Sequence, residues 1–246
     1  MTLTSDGDSC VKVEIWSDIV CPWCAIGKRR FETALADFSH RDEVEVVWRS
    51  FELDPHAPRE RPEDLATHLA GKYRTSRERA LLMERHMTDV AASEGLTFRL
   101  ERARPGNTFD AHRLLHLAAD RGRQDTVKER LLTAYLTDGE PIGDCDTLVR
   151  LAAEAGIDAG EARAVLHGDA YAGAVRTDER EAQALGVTAV PFFVIDRRYG
   201  VSGAQPAQVM EEALERSWAG SHAVSTLASH RGHDVGGACA DGSCAV

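Results

Sequence analysis

Two of the six cysteines in this 246-residue chain stand two residues apart, as Cys21 and Cys24 in VKVEIWSDIVCPWCAIGKRRFETAL. Thiols at that spacing serve as half of a metal site, as a structural pair, or as a reactive dithiol. An apolar run leads into Cys21 and a helical pattern leaves from it. That placement makes Cys21 the first residue of a helix, where unpaired backbone N–H groups and the positive end of the dipole favour thiolate. Cysteines in such motifs have pKa values of roughly 3.5 to 7.5, against about 8.5 for a free thiol. Cys24, one turn further in, is expected to lie deeper. Read as a dithiol, Cys21 attacks and Cys24 resolves the mixed disulfide. Pro22 sets a helical φ without forfeiting a needed hydrogen bond. Trp23 either offers a flat apolar surface beside the sulfur or simply packs.

A second feature is Val190-Pro191 in VTAVPFFVI. Proline within a strand belongs at an edge or in a cis turn. The apolar FFVI that follows indicates a buried strand, so a cis Val190–Pro191 bond is expected, with a trans edge proline as the alternative. A cis proline facing the CxxC leaves the Val190 backbone free to pair with an extended substrate peptide. Asn107 and His112, in NTFDAHRLL, open a helix. In one reading Asn107 or Thr108 caps it and His112 bonds within the fold. In the other, Asn107 and His112 line a cleft over Cys21 as substrate-binding residues and the imidazole helps hold the thiolate. Asp18 either assists proton transfer to the buried thiol or caps the helix start. Cys10 and Cys145 are isolated. Cys239 and Cys244, in CADGSC, are spaced to close a small disulfide loop. From Trp218 to Cys239 the extended chain spans at most about 70 Å, enough to bring this auxiliary redox pair to the active site. A rival assigns His230, His233, Cys239 and Cys244 to zinc, and a third reading leaves the tail inert.

The elements that must position these groups follow from periodicity. Val11–Trp16 alternates as a strand, and Ile26, Phe31, Leu35 and Phe38 repeat helically. Glu43–Leu53 is a second strand, rich in β-branched and aromatic residues. From Pro62 to Gly186 only helical faces appear, punctuated by Gly71, Gly95, Gly122, Gly139 and Gly156 as stop signals. A helix over Ala170–Leu185 leads to a third strand, Val187–Ile195, a fourth in YGVSG, and a last helix with Pro206 at its first turn. The order is β-α-β, a helical block, then α-β-β-α. Segments 11–60 and 174–218 therefore form one discontinuous domain around one sheet. Residues 61–173 are a helical insertion, and 219–246 a flexible tail carrying Cys and His.

The formal net charge is −11 and local Lys/Arg clusters are flanked by acids, which excludes a nucleic-acid backbone as the expected partner. No run approaches the roughly 18 apolar residues of a membrane span. The opening MTLTSDGDSC is neither basic nor apolar, so a cytoplasmic protein is expected. In a reducing compartment a close cysteine pair is catalytic or metal-binding rather than a structural staple.

Together SDIVCPWCAIGKRRFE, WRSFELDP, NTFDAHRLLHLA and GVTAVPFFVIDRRYGVSGAQP resemble the DsbA-like thiol oxidoreductases of the thioredoxin superfamily, and more narrowly their FrnE branch. The likeness runs from Val11 to Trp218. It implies an α/β thioredoxin fold with a large α-helical insertion. It further implies a protein dithiol–disulfide oxidoreductase with Cys21 and Cys24 as the redox pair and Pro191 as the cis proline. Protein or peptide dithiols and disulfides are then the substrates, with glutathione a candidate redox partner. No metal or organic cofactor is needed, and a monomer or homodimer is expected. The alternative is a glutathione-dependent isomerase or transferase of the kappa-class type, acting on a small aromatic, polyketide-like compound.

Overall fold

The computed structural model describes residues 10–229. Strand β1 (Val11–Ser17) runs into helix α1 (Pro22–Asp37), which returns the chain to β2 (Val44–Ser50). The pairing of β1 with β2 is parallel, from Val11 opposite Val44 to Ser17 opposite Ser50. A parallel pair needs a crossover, and α1 supplies it.

Seven helices follow: α2 (Leu65–Lys72), α3 (Arg77–Ser93), α4 (Phe109–Asp120), α5 (Gln124–Thr133), α6 (Cys145–Glu154), α7 (Ala159–His167) and α8 (Ala172–Ala184). A π-helical turn, Ala134–Asp138, prolongs α5. The chain then re-enters the sheet as β3 (Phe192–Ile195) and β4 (Tyr199–Ser202) and ends in α9 (Ala207–Ser229). The sheet order is β2-β1-β3-β4, with β3 antiparallel to both neighbours. This is the expected thioredoxin-type α/β fold with a helical insertion.

Local chemistry accounts for the helix ends. Asp64, Ser76, Asp144 and Asp158 each accept the backbone N–H of the third residue onward, a cap contributing about 1 kcal/mol. Gly95, Gly122, Gly139 and Gly156 stop helices with φ between 64° and 88°, the range that disfavours a Cβ. Gly71 does not: α2 runs through it, and the left-handed turn falls at Arg74, φ 51°.

The sheet's two faces feed different cores. Val11, Val13 and Ile15 alternate onto the face that meets Phe31 and Phe38 of α1 and Met210 and Leu214 of α9. Trp16 points the other way, toward a small cluster with Cys21, Cys24, Val190 and Val194. The insertion has its own apolar core, but Ile19, Ala25 and Ile26 belong to it. The start of α1 is therefore clamped between sheet and insertion.

Three boundaries differ from the periodicity reading. The second strand ends at Ser50 because the chain then turns, letting the Leu53 N–H reach Asp18. The third begins at Phe192, since Val187 still closes α8 through its N–H to the Ala182 carbonyl. Helix α9 continues past Trp218 to Ser229, where a tail was expected. The alanines at 219, 223 and 228 have the highest helix propensity and carry it on. Among the described residues, no helix is long and apolar enough to cross a membrane.

Candidate active site

Cys21 sits at the N-cap of α1, in extended conformation (φ −98°, ψ 110°), and Pro22 takes the first helical position. It is thus one residue before the helix rather than its first member, because proline fits where no N–H is required. Its carbonyl accepts the Cys24 N–H at 3.0 Å, and its thiol points at the Val190 carbonyl, 3.6 Å away. The Val190–Pro191 peptide bond is cis. Beneath it, α1 carries Gly27, where a Cβ would stand 2.8 Å from Pro191 Cγ. The helix backbone is therefore seated on the proline ring.

Both sulfurs are buried, Cys21 at 5% residual exposure and Cys24 at 1%. Only Cys21 opens onto a cavity of about 150 Å³. Pro22 and Trp23 form one wall of it, and Leu65, Leu69, Met83 and Met87 of α2 and α3 form another. Trp23 keeps 36% of its surface exposed, with its ring 6.4 Å from that of His86. Val190 and Pro191 are not among the residues lining this cavity.

Asn107 and His112 do not line it either. The Asn107 carbonyl accepts the Phe109 N–H at 2.9 Å and so caps α4, while its amide lies 3.4 Å from Glu52. His112 is on the inner face of α4 with no exposed surface, and its Nε2 is 3.3 Å from Asp18 Oδ1. Burial on the inner face of α4 keeps His112 from direct contact with a cavity occupant, whereas Asn107 is half-buried between Gly106 and Thr108, both of which line the cavity. Asp18 is not the cap of α1. It is fully buried, with Oδ1 accepting the Ile19 N–H at 2.7 Å and Oδ2 accepting the Leu53 N–H at 2.7 Å. Burial alone would raise its pKa, but His112, the Leu53 N–H and the Thr108 side chain hold it below the usual carboxylate range. Asp18 is therefore held as a carboxylate.

The charge within the dithiol is also placed differently from the helix-dipole expectation. The Cys21 thiol is pushed well above the ordinary range, first by its interaction with the neighbouring Cys24 thiol, then by burial. Burial opposes ionisation of Cys24 as well, yet the Cys21 S–H, the Lys128 ammonium and the Asp18 backbone N–H bring its pKa below the ordinary value.

Lys128 of α5 is the residue that pattern reading missed. It has no exposed surface, and its Nζ has no hydrogen-bond partner among the described residues. It lies 5.4 Å from the centroid of the Trp48 ring. Burial lowers its pKa to about 8, against the support of Cys24, Asp18 and Cys21. Lys128 stands three and four residues before Leu131 and Leu132, both buried. That spacing places it on an inward face, whereas lysine is ordinarily assigned to solvent.

Cys10 is exposed and Cys145 partly buried, both as free thiols. His230, His233, Cys239 and Cys244 lie outside the described residues.

The model of the DSBA-like thioredoxin domain matches residues 12–215 of the chain. The chain is 52% identical to a probable DsbA oxidoreductase from Streptomyces coelicolor, with a TM-score of 0.81 over 85% of this chain and 90% of that one. It is 27% identical to the uncharacterized protein YwbO of Bacillus subtilis, over 83% of this chain and 96% of that protein. A 2-hydroxychromene-2-carboxylate isomerase shares the fold at 13% identity, with a TM-score of 0.63 over 87% and 98% of the two chains.

Proposed function

The chain belongs to the DSBA-like thioredoxin domain family of disulfide oxidoreductases, and from that premise we propose that it exchanges dithiols for disulfides through Cys21 and Cys24. Cys21 is the nucleophile because it alone of the pair opens onto the cavity. As substrate approaches, Cys21 gives up its proton to solvent through the cavity, and the Cys21 thiolate attacks one substrate sulfur. A mixed disulfide forms and the other substrate sulfur leaves with the electron pair. Cys24, directly behind, then attacks Cys21 and releases the second sulfur. The reverse sequence oxidises a substrate dithiol. No metal or organic cofactor enters this chemistry.

Substrates on this reading are protein or peptide segments lying against Val190-Pro191, with apolar side chains entering the Trp23 cavity and glutathione as a small redox partner. The cytoplasm is the proposed compartment and the FrnE branch the proposed subgroup, the latter on the motifs quoted above. The observation that carries the function is a cavity-facing cysteine at the N-cap of α1 with a second, buried cysteine one helical turn behind it, set against the cis Val190–Pro191 bond. A glutathione-dependent isomerase has no use for that second sulfur, which gives any mixed disulfide an intramolecular exit.

Trapping tests the roles. Cys24→Ser is expected to accumulate a stable mixed disulfide on incubation with oxidised glutathione or a disulfide-bonded peptide, and Cys21→Ser to form none. Equal adduct yields from the two variants would remove the assignment.

A further inference from the structure

Besides Cys21, three buried residues in the lining of the cavity carry a polar side chain: Asp18, Thr108 and Tyr135. Two of them are committed elsewhere. Asp18 accepts the Ile19 and Leu53 N–H groups and faces His112, and the Thr108 side chain bonds Asp18. Tyr135 keeps only 1% of its surface exposed, and its hydroxyl makes no hydrogen bond among the described residues. A buried polar group without a protein partner burdens the fold, and in a cavity wall it is a recognition point for whatever enters.

The backbone holds Tyr135 in place. It lies in the π-helical turn Ala134–Asp138, a geometry that recurs at functional sites. The next carbonyl, of Leu136, accepts the Arg99 N–H at 2.8 Å, and the Thr137 hydroxyl donates to the Thr97 carbonyl at 2.5 Å. Gly139 closes the turn with φ 73°, where a Cβ would stand 2.6 Å from the Arg102 carbonyl oxygen. The space fixes the size of the occupant. The cavity holds about 150 Å³ and is walled by Leu65, Met83, Met87 and Trp23; an apolar cavity of about that size takes one benzene ring. The occupant's charge is limited by Asp18, since an anionic group would face that carboxylate. Burial and the same carboxylate keep the phenol protonated, so it donates.

We propose that this cavity is a subsite for a ring-sized apolar group bearing a neutral hydrogen-bond acceptor, to which the Tyr135 hydroxyl donates while Cys21 exchanges with the adjoining sulfur. This rests on the dithiol–disulfide reading above and names the substrate class for it: a disulfide with such a group next to one sulfur. The group is an aryl substituent of a small disulfide or the side chain of a tyrosine beside a peptide cysteine. Tyr135 is thereby a specificity-determining residue contributed by the helical insertion.

Two aryl disulfides of the same shape test this. 4,4′-Dithiodipyridine carries a neutral ring nitrogen at pH 7, and diphenyl disulfide has a C–H in its place. Each is mixed with the reduced protein, and the second-order rate of aryl thiol release in the first attack is read by absorbance. Tyr135→Phe is expected to react roughly 10-fold more slowly than the parent with dithiodipyridine, the scale of one hydrogen bond. With diphenyl disulfide its rate is expected to equal the parent's, which also shows that the variant's fold and dithiol are intact. Taking the ratio of parent to variant on each compound cancels their different intrinsic reactivities. Equal slowing on both disulfides, or slowing on neither, would overturn the proposal. Peptide disulfides differing only in Tyr or Phe beside the cysteine separate the two sources. A parental preference for Tyr that Tyr135→Phe abolishes assigns the peptide side chain, and equal rates for the two peptides with the pyridyl effect intact assign the small aryl disulfide. A parent that releases no aryl thiol from either compound would refute the dithiol–disulfide reading itself, whereas release without a Tyr135 effect would remove this inference alone.

Discussion

The contact between α1 and Pro191 makes an unusual prediction about a glycine-to-alanine change. In a helix interior that substitution ordinarily stabilises by about 1 kcal/mol, because glycine has the greater conformational entropy to lose. At Gly27 the added Cβ would stand 2.8 Å from Pro191 Cγ and 3.5 Å from both Cα and Cβ of Ala204. A proline ring cannot swing aside as a flexible side chain would, so helix or loop must move. Such overpacking costs about 1–3 kcal/mol, which outweighs the propensity gain and leaves a net loss of about 1 kcal/mol. Gly71 is the internal control: it also lies in a helix, and its Cβ would meet nothing within 4 Å. Gly71→Ala should therefore gain up to about 1 kcal/mol. For a domain of this size 1 kcal/mol shifts Tm by about 2–4 °C. Gly27→Ala should melt below the parent and Gly71→Ala above it, as read by thermal circular dichroism. The disulfide-exchange rate should fall only in Gly27→Ala, where the Val190 carbonyl is displaced from Cys21. If Gly27→Ala equals or exceeds the parent in both Tm and rate, the reasoning that Pro191 seats on α1 is wrong.

Other outcomes follow from the same geometry. Asp18→Asn sets an amide NH₂ against groups that already donate, so it should cost about 1–3 kcal/mol in urea unfolding at pH 7. Because the folded pKa of Asp18 lies below its ordinary value of 3.8, its contribution is full above that value and lost as pH falls through the folded pKa. The gap between parent and variant should accordingly narrow below about pH 4; a gap independent of pH between 7 and 3 would contradict the carboxylate's role. Trp23→Ala should change stability by no more than about 0.5 kcal/mol, as an exposed position, while raising KM for disulfide-bonded peptides with apolar residues beside the cysteine. An unchanged KM for such peptides would leave Trp23 as packing alone.

Much of this arrangement is written in local patterns. The alternation of Val11, Val13 and Ile15, the helical repeat after Cys24 and the run FFVI mark the elements that surround the dithiol. Caps and left-handed glycines punctuate the insertion as their chemistry dictates. What escapes local reading depends on contacts between distant segments. Asp18 reads as a cap or a proton carrier until Leu53 and His112, 35 and 94 residues away, are seen to bind it. Asn107 and His112 are adjacent in one motif, yet one caps α4 and the other is turned into the core. The charge of the dithiol is legible only in part. Helix polarity favours a thiolate at Cys21, but the turn before β3 brings the Val190 carbonyl to one sulfur, and the charge of Lys128 on α5 lowers the pKa of the other. A single lysine in QDTVKERLLT carries no sign of that destination except its spacing to Leu131 and Leu132.

The most direct test of the account is the equilibrium of Cys21 and Cys24 in graded glutathione buffers, read by mass spectrometry of the acid-quenched, alkylated protein. The account predicts a reversible two-electron transition between the dithiol and an intramolecular Cys21–Cys24 disulfide. Its midpoint would assign the direction of catalysis, near about −270 mV for a reductant and about −120 mV for an oxidant. The absence of a Cys21–Cys24 disulfide at any ratio of reduced to oxidised glutathione would contradict it.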